Sequence, residues 1–318
     1  MTSRSAPPLA SPLLDPEALA RLARFELRVQ AVVEGTLSGL HKSPHRGQSV
    51  EFAEHKEYAP GDDVKAIDWR VFGRFDRYYV KEFEAETNLR AHLLLDRSAS
   101  MGFQTAPLSK LEYASVLAAS LGYLLLRQGD AVGLAPFGEA VTRPVAPRAG
   151  GVHLGNLLAA LESLKARGRT RLGAALAQVA ELARRRSLVV VLSDLLEGGD
   201  RGWLEALGRL RSRRHQVVVL HVLDPAERDF PYEGLRLFED PEAGARVLSD
   251  ARVVAAAYRE ELARFLEEVR RRCRQVGVSY HRAYTDEPPG EVLLELLGGA
   301  RAGGSMRPSA SAVGAGIR

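Results

Sequence analysis

LVVVLSDLL at residues 188–196 and QVVVLHVLD at residues 216–224 decide the fold. Each is a continuous run of Val and Leu, which is typical of parallel strands that are buried on both faces of a sheet. Two further runs have the same character, LRAHLLLD at residues 89–96 and AVGLAPF at residues 131–137. Because segments of helical length separate these runs, the alternation predicts an α/β fold with a doubly wound, mostly parallel sheet and crossover helices.

Apolar periodicity places the other elements. It predicts helices at residues 111–127, 154–165, 172–185, 203–211, 251–275 and 290–297. Shorter β-type stretches predict an edge strand at residues 140–145 and a last strand at residues 278–284. A hairpin is predicted near residues 235–249, where Asp-Pro-Glu at 240–242 supplies turn residues.

These elements divide the chain into four parts. Residues 1–14 are predicted to be disordered, and residues 15–88 to form an N-terminal helix followed by a smaller β-rich region. Residues 89–297 form the α/β domain, with the hairpin as an insertion. Residues 298–318 contain few large apolar side chains, so we expect a disordered tail.

The composition excludes several classes of protein. The 318 residues include 44 basic and 40 acidic side chains, which are spread along the chain without the clustered positive charge that a nucleic-acid-binding face needs. No apolar run approaches the roughly 18 residues of a membrane span, and the first residues lack the apolar stretch of a secretory signal. The single cysteine, Cys273, cannot form an internal disulfide or a cysteine-based zinc cage. We expect a cytoplasmic protein with no nucleic acid partner and no membrane span.

Five oxygen-bearing side chains follow the strands or precede a helix at one edge of the predicted sheet. Asp96, Ser98 and Ser100 come directly after the first strand, Asp194 ends the strongest strand, and Thr170 stands before a helix. Ligands collect at the carboxyl ends of strands in such sheets. An all-oxygen set of carboxylates and hydroxyls suits Mg²⁺, with Mn²⁺ as an alternative, rather than zinc.

These five residues resemble the metal-ion-dependent adhesion site of a von Willebrand factor A-type domain. The flanking sequence narrows the resemblance. SVEFAEHKEYAPGDDVKAIDWRVFGRFDRYYVKEFEAET at residues 49–87, followed by LLLDRSASM at residues 93–101, is similar to a bacterial domain-of-unknown-function family associated with MoxR-type AAA+ ATPases. The similarity covers about residues 35–297, and its most specific parts are the YxPGDD and IDW segments and the five site residues.

The resemblance implies a six-stranded, von Willebrand factor A-like sheet with Mg²⁺ bound at its top. It further implies a non-enzymatic protein-interaction module, an adaptor or substrate-recruiter that works in the cytoplasm with a MoxR-type AAA+ ATPase. In related A-type domains a partner carboxylate takes the open position on the metal, so the implied partners are the ATPase and a client protein that donates a carboxylate.

Two alternatives remain open. The same two carboxylates around Mg²⁺ would suit a metal-dependent phosphoester hydrolase, although no general base is visible. The domain would otherwise be a structural scaffold whose metal site stays empty. The role of residues 49–87 is also open, because the acidic side chains of the YxPGDD segment suit either a β-turn or an exposed acidic surface.

Overall fold

The computed structural model describes residues 16–42, 55–57, 79–81, 89–184, 186–196 and 202–302. The chain divides into two compact units, one that combines residues 1–40 with residues 89–318 and one that contains residues 41–88. Three parts of the predictions lie outside the described residues, namely the disordered segment at 1–14, the YxPGDD and IDW segments, and the end of the tail at 303–318.

The described residues form ten strands. They are β1 (His55–Glu57), β2 (Tyr79–Lys81), β3 (Arg90–Asp96), β4 (Ala131–Phe137), β5 (Val145–Arg148), β6 (Leu188–Ser193), β7 (Gln216–Leu223), β8 (Leu235–Glu239), β9 (Arg246–Asp250) and β10 (Ser279–Tyr284). The α-helices are α1 (Pro16–Lys42), α2 (Lys110–Arg127), α3 (Gly151–Glu162), α4 (Leu172–Leu182), α5 (Gly202–Ser212), α6 (Pro225–Asp229), α7 (Ala251–Gln275) and α8 (Pro289–Ala302). A short 3-10 helix covers Ala99–Gly102.

The larger unit contains a six-stranded sheet in the order β10-β7-β6-β3-β4-β5. All neighbouring strands are parallel except β5, which pairs antiparallel with β4. This confirms the predicted α/β fold with a six-stranded, mostly parallel sheet. The strand order reverses between β3 and β6, and such a switch point opens a crevice at the carboxyl ends of the two strands.

Alternate side chains of the central strands enter two separate cores, one on each face of the sheet. On β3, Leu93 and Leu95 belong to the first core, whereas Leu94 belongs to the second. Helices α1, α2, α3 and α8 contribute to the first core, and α4, α5 and α7 contribute to the second. Because both faces are covered, the central strands are apolar throughout, which explains the Val and Leu runs of the sequence.

Helix α1 packs on the sheet of the larger unit. Val29 and Val33 are 1% and 2% exposed and belong to the first core, and Arg21 Nε lies 3.2 Å from Glu162 Oε1 on α3. The prediction grouped this helix with the β-rich region in residues 15–88, whereas in the structure the helix up to residue 40 belongs to the unit that contains the sheet. An amphipathic helix of this length is stabilised by burying its apolar stripe, and the sheet's first core provides the surface.

Several element boundaries differ from the predictions. The edge strand β5 begins at Val145, and within the predicted stretch at 140–145 Val141 forms only an isolated bridge with Phe137. Helix α8 continues to Ala302, into the tail that was predicted to be disordered from residue 298. The last residues of α8 include alanine and arginine, which favour helix. No helix of the described residues has both the length and the apolar character of a membrane span.

The smaller unit contributes one antiparallel pair. Strands β1 and β2 pair from His55 opposite Lys81 to Glu57 opposite Tyr79. In the larger unit, β8 and β9 form a second antiparallel pair, from Leu235 opposite Asp250 to Glu239 opposite Arg246. This second pair is the hairpin that the sequence placed near residues 235–249.

The buried imidazole of His92 on β3 makes stability depend on pH. Burial, with added repulsion from His215 and Arg90, lowers the pKa of His92 from 6.5 to about 4. The unfolded chain therefore binds a proton that the folded chain rejects, so His92 lowers stability as the pH falls from 6.5 towards 4. We expect a loss of about 2 kcal/mol between about pH 7.5 and pH 5.

Urea denaturation of the wild type and of His92→Gln at both pH values measures this loss. The expected result is a smaller loss in His92→Gln than in the wild type. An identical loss in the two proteins would contradict the assignment of this pH dependence to His92.

Candidate functional site

The structure brings the predicted site residues together at the switch point of the sheet. Asp96 is the last residue of β3, and Ser98 and Ser100 follow it in the turn and the short 3-10 helix. Asp194 directly follows β6, and Thr170 lies just before α4. All five side chains are buried. The site thus draws on three chain segments that are distant in sequence.

The carboxylate of Asp96 is the centre of the hydrogen-bond network. Its Oδ1 accepts a bond of 2.9 Å from the backbone N–H of Ser98. Its Oδ2 accepts bonds from Ser193 Oγ at 2.6 Å and from Thr170 Oγ1 at 3.1 Å. The hydroxyls of Ser98 and Ser100 lie 3.0 Å apart. Four of the five predicted residues are therefore joined directly, and Ser193 is an additional member that the sequence analysis did not select.

The carboxylate of Asp194 is held by a buried lysine. Lys110, at the start of α2, places its Nζ 2.8 Å from Asp194 Oδ2 and 2.7 Å from Glu227 Oε1, and its side chain is 0% exposed. Asp194 Oδ1 accepts from the backbone N–H of Leu196 at 3.2 Å. Neither Lys110 nor Glu227 carried a signal in the sequence, because their meeting with Asp194 depends on the packing of α2 and α6 at the end of β6.

The turn after β6 is strained. Leu195 has φ of 56°, in the left-handed region that non-glycine residues rarely adopt. Its backbone N–H donates to Ser193 Oγ at 3.0 Å, and His221 Nε2 lies 2.8 Å from the backbone oxygen of Asp194. Such strain persists only where surrounding contacts hold the chain, and it is common at functional sites. Here the contacts of Leu195 and His221 hold the backbone at Asp194 and so orient its side chain.

The two aspartates have pKa values shifted in opposite directions. Burial, together with the nearby charge of Asp194, raises the pKa of Asp96 above its ordinary value. Burial alone would also raise the pKa of Asp194, but the ammonium of Lys110 lowers it below the ordinary value. The ammonium of Lys110 thus pairs with Asp194 and Glu227.

A third carboxylate reaches the site from the β8–β9 hairpin. Glu242 Oε1 accepts from Ser100 Oγ at 2.9 Å, and Glu242 Oε2 accepts from the backbone N–H of Thr170 at 3.0 Å. The sequence analysis placed Glu242 in a turn but gave it no role. Its position could not be read from local sequence, because it depends on where the hairpin folds back.

The donor set fits a hard divalent cation. It contains only carboxylate and hydroxyl oxygens, the donors that Mg²⁺ and Mn²⁺ prefer. The ammonium of Lys110 pairs with Asp194 and Glu227, and a divalent cation beside Asp96 would favour the ionised form of its carboxyl group. Within residues that the structure describes, no group of three or more His, Cys, Asp and Glu side chains has metal-binding geometry.

Comparisons with known proteins give the following similarities. The family model described as "Protein of unknown function DUF58" matches residues 54–272. An uncharacterised protein of Mycobacterium tuberculosis is 32% identical over 283 residues, which are 83% of this chain and 88% of the relative. Of the solved structures, the hypothetical protein BatB from Bacteroides thetaiotaomicron has a TM-score of 0.46 and 19% identity, covering 67% of this chain and 99% of its own. The manganese-loaded TRAP protein of Plasmodium vivax has a TM-score of 0.30 and 19% identity, covering 42% and 56%.

We expect the buried ammonium of Lys110 to be essential for stability. Lys110→Ala leaves Asp194 and Glu227 buried without their counter-charge, and removing one partner of a buried ion pair typically costs about 3–5 kcal/mol. Urea denaturation at neutral pH measures this loss. Arg264→Ala is the control, because Arg264 forms exposed pairs with Glu260 and should cost less than about 1 kcal/mol. Similar losses in the two variants would contradict the role of Lys110.

Proposed function

The chain belongs to the DUF58 family of proteins of unknown function, and we propose that it is a Mg²⁺-dependent protein-interaction module. In this proposal it works in the cytoplasm as an adaptor or substrate-recruiter for a MoxR-type AAA+ ATPase. The metal connects the domain to a client protein, and the domain itself catalyses no reaction.

The observation that carries the proposal is the network around Asp96. Three segments from different parts of the chain converge on one buried carboxylate, and they place two serine hydroxyls and a second carboxylate beside it. A carboxylate that only capped a turn or a helix would need its own hydrogen-bond donors and no second carboxylate. Lys110 compensates the charge of Asp194, and a bound cation would likewise compensate that of Asp96.

In the proposal Asp96, Ser98, Ser100, Thr170 and Asp194 hold the ion. When bound, Mg²⁺, or Mn²⁺ with the same donors, supplies a positive centre that attracts a carboxylate of the client. Lys110 keeps Asp194 ionised and oriented, and Ser193 fixes the second oxygen of Asp96. The partner ATPase is proposed from the sequence resemblance of residues 49–87 and 93–101 to the MoxR-associated family.

The surroundings of the site favour binding over hydrolysis. The imidazole of His221 adjoins the site, but its Nε2 lies 2.8 Å from the backbone oxygen of Asp194 and its Nδ1 lies 2.7 Å from Tyr280 Oη. Both ring nitrogens thus have protein partners. Burial also lowers the pKa of His221 to about 4. This imidazole is poorly placed to activate a water molecule, since a general base must reach the proton that it removes.

Metal binding is expected to raise the melting temperature through Asp96. A ligand that binds only the folded state adds about 2.7 kcal/mol when its concentration is 100 times its Kd. For a domain of this size, that corresponds to a rise of roughly 5–10 °C. Thermal denaturation in EDTA, followed by titration of Mg²⁺, Mn²⁺ or Ca²⁺, measures the rise in the wild type and in Asp96→Ala.

The control for this titration is Asp286→Ala, which removes an exposed carboxylate that pairs with Arg228. It should keep the full rise with Mg²⁺, whereas Asp96→Ala should lose it. A wild type that shows no shift, or an Asp96→Ala variant that keeps it, would contradict the metal site.

Capture of the ATPase tests the partner directly. The full chain is immobilised and exposed to the purified MoxR-type ATPase of the same organism, with Mg²⁺ or with EDTA. If recruitment depends on the metal, capture should fall about tenfold in EDTA and in Asp96→Ala, which equals about 1.4 kcal/mol of binding energy, and should persist in Asp286→Ala. Capture that is absent, or that ignores both chelation and Asp96→Ala, refutes this part of the proposal.

A further inference from the structure

The β8–β9 hairpin lies largely outside the two cores. Most of its side chains are exposed, including Leu235 at 69%, Leu237 at 58%, Val247 at 60% and Leu248 at 63%. Between residues 235 and 250, only Phe238, Glu242 and Ser249 are partly buried, and the other residues are exposed. These few residues hold the hairpin against the domain.

Aromatic packing holds strand β8 of the hairpin against the domain. The ring of Phe238 lies 5.8 Å from that of Phe230 and 6.0 Å from that of Tyr232, and Phe230 in turn lies 4.6 Å from Tyr258 on α7. At the start of α7, Asp250 caps the helix by accepting from the backbone N–H of Arg252. Strand β8 and the start of α7 are therefore held by contacts other than those of Glu242.

The tip of the hairpin is attached through Glu242. Its carboxylate accepts from Ser100 Oγ at 2.9 Å and from the backbone N–H of Thr170 at 3.0 Å. In addition, Arg169 Nε donates to the backbone oxygen of Glu242 at 3.1 Å. Two of these three contacts are to residues of the candidate metal site. The only carboxylate that the tip places in the crevice is thus bound to that site.

The turn is shaped to present this carboxylate. Asp240 Oδ1 accepts from the backbone N–H groups of Glu242 at 2.8 Å and of Ala243 at 3.0 Å. The backbone N–H of Gly244 donates to the oxygen of Asp240 at 2.8 Å, and Gly244 has φ of 71°, which glycine adopts without strain. Local bonds within the turn thus fix the direction of Glu242.

We propose that Glu242 is an internal ligand of this site, and that a client binds by displacing it with an acidic side chain of its own, presented at the tip of a turn. The inference rests on the proposed function for the identity of the site as a binding site. It adds a closed state and the way in which the client presents its carboxylate. In that closed state the chain's own hairpin holds the position that the client needs.

The contacts of Glu242 in the closed state are weak enough for a client to displace them. Its carboxylate is held by two hydrogen bonds, to Ser100 and to the backbone of Thr170, and such bonds contribute modestly because water competes for the same groups. The contact is intramolecular, so a high effective concentration favours it over a free ligand. A client with a second contact surface can overcome this advantage.

Hydrogen–deuterium exchange on the full chain in EDTA tests the closed state. Glu242→Ala removes the contact at the tip, so the amides of residues 240–247 should exchange about tenfold faster than in the wild type, because this segment opens more often. The matched control is Glu239→Ala, which removes a carboxylate of the same hairpin that pairs only with Arg246 on the surface. Its exchange at 240–247 should stay close to that of the wild type. Equal exchange in the two variants overturns the proposal.

A peptide of the hairpin itself tests the displacement. A labelled cyclic peptide with the sequence FEDPEAGARV of residues 238–247 is titrated in Mg²⁺ into the wild type and into Glu242→Ala. Binding should be about tenfold tighter to Glu242→Ala, because the internal competitor is gone. The same peptide carrying E242Q should lose this gain. Equal binding to both proteins, or binding to neither, overturns the proposal.

The two tests separate this inference from the proposed function. The exchange measurement needs neither metal nor ATPase. If Glu242→Ala frees the tip and binds the peptide while ATPase capture ignores Asp96→Ala, the internal ligand stands and the recruiting function fails. If capture depends on Asp96 and the tip is unaffected by Glu242→Ala, the recruiting function stands and the internal ligand fails.

Discussion

The buried carboxylate of Asp96 is the constraint on which the crevice depends. Removing a carboxylate from water costs on the order of several kcal/mol unless hydrogen bonds replace its hydration. In this domain the replacing donors come from the turn after β3, from the end of β6 and from the segment before α4. Each hydrogen bond to a charged group contributes about 1.5–3 kcal/mol, so the three segments are tied to one another through a single side chain.

This arrangement ties the stability of the domain to the geometry of the site. Asp194 is ionised because Lys110 lies beside it, and Lys110 is buried because Asp194 and Glu227 neutralise it. The ion pair thus fixes one side of the crevice. Among the described residues, the partners of Asp96 are hydroxyl and amide donors, and this is the side that Glu242 approaches. The two sides of the site therefore differ, since an ammonium stabilises Asp194 whereas hydroxyl and amide donors stabilise Asp96.

The sequence was sufficient for those features that local pattern determines. Strands β6 and β7 were predictable because burial on both faces demands continuous Val and Leu, and the candidate residues Asp96 and Asp194 followed from the ends of their strands. Lys110 and Glu242 were not predictable, because they reach the site from α2 and from a distant hairpin. The packing of α1 was missed for a similar reason, since an amphipathic stripe does not reveal which core covers it.

The external position of the hairpin has an evolutionary consequence. The sheet and its two cores do not require the side chains at the tip, because almost all of them face water. Exposed loops accept substitutions and changes of length far more readily than core elements. Substitutions at the tip can therefore change how strongly Glu242 is held at the site. Selection for folding acts on other parts of the domain. Under the proposal, the tip can change recognition without affecting the two cores, whereas the network around Asp96 affects both.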